Sequence, residues 1–184
     1  MIMTVAELKR FVETNEDEQV LEARLQALEL LIRAYTNNNF QVRAFRTVAV
    51  ASAADKSLQV NGTVPFAAGD TLQITGSALM PDELVTVNAV EIGKITVNED
   101  LYDETGVTVT KVKYPRDVQM GVVNLFKWEQ NNRDKVGVSS ETISRHSVTY
   151  FNMDGENSIM GFPKSLLGFL RPYRKARFGR GVDV

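Results

Sequence analysis

A chain of 184 residues, 43% apolar and 24% charged, is long enough for one ordinary domain or two small ones that share a core. Its formal charge of -2 excludes a generally basic nucleic-acid coat, and the absence of cysteine excludes a disulfide framework and any thiolate metal site. No apolar run reaches the roughly 18 residues of a membrane-spanning helix. The start, MIMTVAELKR, lacks the charged and apolar regions of a signal peptide. The chain is therefore expected to stay in the cell that makes it, or to leave inside a larger particle.

Thr4-Val5-Ala6-Glu7 has the capping-box spacing, in which the threonine oxygen and the glutamate each satisfy a free backbone N–H, and it predicts a short helix over 5–13. Asn15 with Glu18 offers a second start, and Glu16, Asp17 and Glu18 place negative charge on the positive end of the next helix. That helix is predicted over 16–37. Leu21, Leu25, Leu28, Ile32 and Tyr35 recur at spacings of four and three and form one apolar stripe, widened by Val20, Ala27 and Leu31. Asn37-Asn38-Asn39 should end it, since asparagine tolerates a left-handed turn. A stripe of this width needs partners, either helices of the same chain or a neighbouring subunit.

The pattern then changes. Strands are predicted at 47–51, 57–61, 71–75, 84–90, 94–97 and 107–113, where apolar and polar residues alternate and β-branched residues are frequent. Turn signals separate them, among them Asn61-Gly62, Ala68-Gly69-Asp70, Met80-Pro81-Asp82 and Ile92-Gly93. Short strands at this spacing point to a small antiparallel barrel or sandwich inserted over 46–113, whose two ends should lie close together.

Tyr114-Pro115-Arg116-Asp117 marks the return to helix, with proline suited to a first turn. The helix predicted over 116–130 carries Val118, Val122, Leu125 and Phe126 on one side; Gly121 allows a close backbone approach, and Trp128 can anchor a core or an interface. The serine-rich segment 134–150 should be extended or looped, and a final helix is predicted over 163–170. Beyond it, Arg171, Tyr173, Arg174, Lys175, Arg177, Phe178 and Arg180 form a basic, aromatic tail over 171–184, expected to be mobile alone and to order on binding.

The search for catalysis finds little. His146, the single histidine, lies between serines, but sequence adjacency does not build a triad. Asp100, Asp103 and Glu104 form an acidic loop that reads as a solvated turn, and no phosphate-binding glycine motif occurs. The chain is expected not to be an enzyme and to need no cofactor or metal.

The order of these segments resembles the head-to-tail connector, or adaptor, proteins of long-tailed bacteriophages. The resemblance rests on 4–35, on 114–127 and on 135–150, with its Gly-x-x-Ser-Glu-x-Ile-Ser-x-x-Ser-Val-x-Tyr pattern, about a third of the chain. It implies a helical connector core of three to four helices (1–45 and 114–170); with the inserted β module, a departure from the family's all-helical pattern, the expected fold class is α+β. It also implies a homo-oligomeric ring, commonly twelvefold, that docks on the portal protein, meets the next connector or tail-completion protein, and lets genomic DNA pass without specific binding. The expected location is the virion neck, after synthesis in the host cytoplasm. On this reading the ring interface is assigned to Leu21, Leu25, Leu28, Ile32, Tyr35 and Trp128, and portal docking to the tail. A DNA-binding module using the basic tail, and a protein- or carbohydrate-binding module carried by the β insert, are the competing readings.

Overall fold

A computed structural model describes residues 1–132, 140–143, 146–149 and 157–176, with backbone alone at 140–143 and 146–149. The described chain forms two compact units, one of Met1 with Asn39–Tyr114 and the other of Ile2–Asn38 with the residues from Pro115 onward.

The first unit is a closed antiparallel barrel of six strands: β1 (Gln41–Ser52), β2 (Ser57–Val60), β3 (Thr71–Thr75), β4 (Leu84–Glu91), β5 (Lys94–Val97) and β6 (Glu104–Val112), in the order β1-β2-β5-β4-β3-β6. Alternation places Ala49 and Ala51, Leu72 and Ile74, Val85 and Val87, and Val107 and Val109 inside, where with Leu58, Ile95, Phe66 and Met80 they fill the interior. The long strand β1 closes the barrel by pairing with both β2 and β6, so no sheet edge is left open. Its pairing with β6 slips between Gln41 and Arg46 and again between Ala49 and Val50, and such bulges supply the bend that closure needs. Entry and exit are pinned together: Lys113 N–H donates to Phe40 C=O at 3.0 Å, and the Phe40 and Tyr114 rings lie 4.7 Å apart. Phe40 adopts φ +51°, a left-handed conformation unusual for an aromatic residue, which the ring contact and the strand hydrogen bond hold in place.

The second unit contains α1 (Val5–Lys9), α2 (Glu18–Thr36), α3 (Arg116–Asn132), a two-stranded sheet of β7 (Ser140–Ile143) and β8 (His146–Thr149), a second of β9 (Ser158–Ile159) and β10 (Phe162–Pro163), and a 3-10 helix, Lys164–Tyr173. The capping box at Thr4 and Glu7 is formed. The cap of α2 is Asp17, whose carboxylate accepts from Gln19 N–H at 2.8 Å, rather than Asn15. Asn37 ends α2 at φ +48°. Both α2 and α3 pack on the 3-10 helix, and α2 also packs on α1. Val118, Val122, Leu125 and Phe126 are fully buried. Gly121 is where the ring of Phe169 comes in: a Cβ there would lie 2.4 Å from it.

The expectation of a helical connector core carrying an insert is overturned. The closed barrel is the dominant element, and the helices are few: α2 of 19 residues, α3 of 17 and α1 of only 5. Three physical causes account for the difference. Strand β1 starts at Gln41, one residue beyond the asparagines, so the barrel takes residues assigned to the first helical part. The helix predicted over 5–13 stops at Lys9. The final helix is of the tighter 3-10 type and runs through Pro172, whose missing N–H cannot make an α-helical bond.

Candidate interaction surfaces

The stripe on α2 is real as a helix face but faces inward. Leu21, Leu25, Leu28 and Ile32 are buried within the chain, so as folded they present nothing to a second copy. Val20 and Ala27, expected to widen the stripe, are exposed. Tyr35 is half-buried beneath Arg174, whose guanidinium carbon sits 5.0 Å from the ring centroid. Trp128 is half-buried and meets Phe162 edge-on at 5.7 Å. The structure therefore separates the six residues assigned to one interface into a buried row and two half-buried aromatic contacts.

The C-terminal segment is fastened to its own unit as far as Ala176. Tyr173 closes the 3-10 helix and donates its hydroxyl to both carboxylate oxygens of Asp117 at 2.8 Å; that hydrogen bond, with some desolvation, raises the phenol above its ordinary range. Asn38 donates to Tyr173 C=O at 3.2 Å, Lys175 N–H to Thr36 C=O at 2.8 Å, and Asn37 to Ala176 C=O at 2.9 Å. A mobile tail from Arg171 is thus corrected for 171–176: the end of α2 supplies carbonyls and asparagine amides that tie it down. Arg171, Arg174 and Lys175 remain exposed on this fastened segment. Arg177, Phe178 and Arg180 lie outside the described residues.

A broad cleft of about 640 Å³ opens beside Arg24, between Glu16 and Glu129. Arg24 donates to both oxygens of Glu16 at 2.6 Å, pairs with Glu129, and stacks on Phe126 at 4.6 Å. Burial works against this charge, but the two carboxylates outweigh it and raise the pKa. The cleft's central cation is committed to clamping α2 to α3, so the cleft reads as structural. Among the described residues no three histidine or acidic groups are grouped to hold a metal ion. His146 pairs through its backbone with Ile143, and its side chain lies outside the described set.

Two surfaces that sequence reasoning passed over stand out instead. In the helical unit, a groove of about 140 Å³ is lined by Met3, Phe11, Met120 and Gln119 together with Arg10, Arg116 and Glu7. Phe11 and Met120 are 48% and 42% exposed, which is far from core burial. Glu7 is engaged in the α1 capping box, whereas no ion pair of Arg10 or Arg116 occurs among the described residues.

On the barrel, strand directions gather the turn 53–56 and the loops 76–83 and 98–103 at the end opposite Phe40 and Tyr114. Leu79 and Tyr102 are each 58% exposed there. These loops hold one another. Glu104 accepts from the Ser77 hydroxyl and, at 2.8 Å, from Ala78 N–H; these bonds, the Ser77 one foremost, hold its carboxylate below the ordinary range. Asp103 accepts from Ala53 N–H at 2.8 Å, and Lys56 pairs with Asp100 at 2.7 Å, which lowers that carboxylate as well. Asp55, Asp82, Glu83, Glu99, Asp100, Asp103 and Glu104 all lie at this end, against Lys56 of the turn and Lys94 of β5, which pairs with Asp55 at 2.8 Å. The result is a braced, acidic pole with two projecting apolar side chains. The only signal in the sequence was an apolar residue inside each turn, Leu79 and Tyr102, and nothing in it said that these turns meet.

Compared with known proteins, the chain matches no family model and no curated protein.

Proposed function

We propose that this chain is a structural virion protein, a head-to-tail connector that assembles as a ring, docks on the portal and joins the DNA-filled head to the tail, with no bond made or broken. The support is the resemblance carried by 4–35, 114–127 and 135–150, together with the character of the surfaces: apolar and charged patches suited to protein contacts. The observation that carries the docking step is the presentation of Arg171, Arg174 and Lys175, exposed, on a segment fastened to the end of α2. A cationic element held in place loses little entropy when it binds, so it suits recognition of an acidic partner surface. The ring's surfaces cannot be the α2 stripe as folded, and the proposal places them elsewhere on the chain. DNA passes through such a ring without a specific site, in keeping with the mild net acidity.

The test is electron microscopy of the purified protein alone and mixed with the portal. Rings, or ring-capped portals, are expected. Arg171→Glu with Lys175→Glu should release the protein from the portal while leaving its circular dichroism unchanged. Particles whose necks are normal without this protein would end the reading. So would strong, salt-dependent binding of duplex DNA with no affinity for the portal, the signature of the DNA-binding alternative.

A further inference from the structure

We propose that the acidic pole of the barrel is a docking knob for a second copy of this chain, and that it seats in the groove beside Phe11 and Met120 of that copy. The inference rests on the connector reading and names the contact between neighbouring subunits. The two surfaces are complementary in apolar side chains and in net charge. The pole projects apolar side chains, Leu79 and Tyr102, and the groove presents the apolar side chains of Met3, Phe11 and Met120. The pole is rimmed by carboxylates, including Glu83 and Asp103, which are exposed; the groove carries two exposed arginines, Arg10 and Arg116, with no ion pair among the described residues, against one carboxylate, Glu7, which is held in the α1 capping box. Apolar centres ringed by opposite charge give both affinity and orientation.

A second copy of the chain supplies both halves of such a contact. Knob and groove are different surfaces on different units, so their union is heterologous: each copy offers one of each, and the contact propagates from copy to copy, into a ring where the rotation between neighbours closes. The buried α2 stripe leaves this role vacant. The pole is also built for the task. Glu104, Asp103 and Lys56 lock the three loops together before any partner arrives, which limits the ordering cost of binding. A pole of this charge repels nucleic acid and anionic lipid, which removes both as occupants.

The experiment is sedimentation of the full chain over a concentration series, with circular dichroism as the check on folding. The parent is expected to sediment as assemblies. Leu79→Asp and Met120→Asp, both at exposed positions, should each raise the concentration for half-assembly by roughly ten- to a hundred-fold. Glu83→Arg and Arg116→Glu should each weaken assembly, and the two combined in one chain should restore it, because every contact then carries the swapped pair. A parent that stays monomeric, folded variants that assemble like the parent, or a double variant no better than its singles each overturn the proposal. The connector reading fails separately: rings that survive Leu79→Asp and Met120→Asp keep that reading and discard this contact, whereas small assemblies that those variants dissolve, on a protein with no affinity for the portal, do the reverse.

Discussion

The barrel and the helical unit solve the problem of burying apolar surface in opposite ways. The barrel is continuous in sequence, 39–114, and closes on itself: each strand finds both neighbours within that stretch, and alternating side chains fill the interior. The helical unit is discontinuous. Helix α2 comes from the first forty residues and α3 from beyond the barrel, and the 3-10 helix from still further along covers parts of both. A closed sheet leaves few options to the rest of the chain. Amphipathic helices leave a face that some distant segment must cover, and here that segment is 164–176.

Large-to-small substitutions test this contrast most strongly. Phe126→Ala removes a fully buried ring from the helical unit and should cost about 3–5 kcal/mol, read as a lower denaturant midpoint by fluorescence of Trp128, the only tryptophan, two residues further along α3. Leu72→Ala in the barrel should cost about 2–5 kcal/mol, read by far-UV circular dichroism of the strands. If Phe126→Ala leaves the Trp128 transition in place, the helical unit lacks the packed core described here.

A glycine pair sharpens the role of the covering segment at smaller cost. Gly121→Ala pushes a Cβ against Phe169, whose ring must shift, and should destabilise by about 1–3 kcal/mol. Gly168→Ala, on the covering 3-10 helix itself, meets nothing within 4 Å and should be close to neutral. Equal thermal midpoints for the two variants would show that the 3-10 helix does not sit on α3 as closely as the geometry has it.

The same contrast explains what was legible in the sequence. Strands 71–75 and 94–97 coincide with β3 and β5, because short-range alternation bounded by Gly, Asn and Asp encodes both the strand and its inward face. The first six residues of β1 escaped notice: between Gln41 and Arg46 the register slips, and Arg43 and Ala44 are exposed in succession, so the alternation is lost. On α2 the periodicity gave the helix and its stripe, but periodicity is silent on what covers a stripe. The cover proved to be the chain's own segments, α1 and the 3-10 helix, not a neighbouring copy. The C-terminal residues were read from composition as a free tail. Their fastening depends on Tyr173 meeting Asp117, 56 residues away, and on Asn37 and Asn38 reaching back to Ala176 and Tyr173, and no local pattern carries such contacts. The knob and groove were invisible for the same reason: Leu79 and Tyr102 become one feature only once the barrel has closed.

The smallest effects separate the two units by pH. Glu104 holds the barrel loops as a carboxylate, with a pKa below the ordinary 4.5 because the Ser77 hydroxyl and Ala78 N–H bond the charged form. A depressed pKa means stability that is fully present above pH 4.5 and lost as pH falls through the folded value. Glu104→Gln should therefore be less stable than the parent near neutrality, with the gap closing on acidification as the parent's own carboxylate is neutralised. Tyr173 has the opposite sign. Its pKa lies above the ordinary 10.0 because the neutral hydroxyl donates to Asp117, so its contribution is complete below pH 10 and lost as pH rises through the folded value. Tyr173→Phe should be less stable than the parent near neutrality, and this gap should close in alkali. Both groups are solvent-accessible, so the shifts in melting midpoint will be modest and will require a pH series with the paired variants. The two trends must run in opposite directions. A Glu104→Gln gap that persists unchanged in acid would mean that the far-pole loops are held by something other than this carboxylate, and the knob would lose the rigidity on which its docking depends.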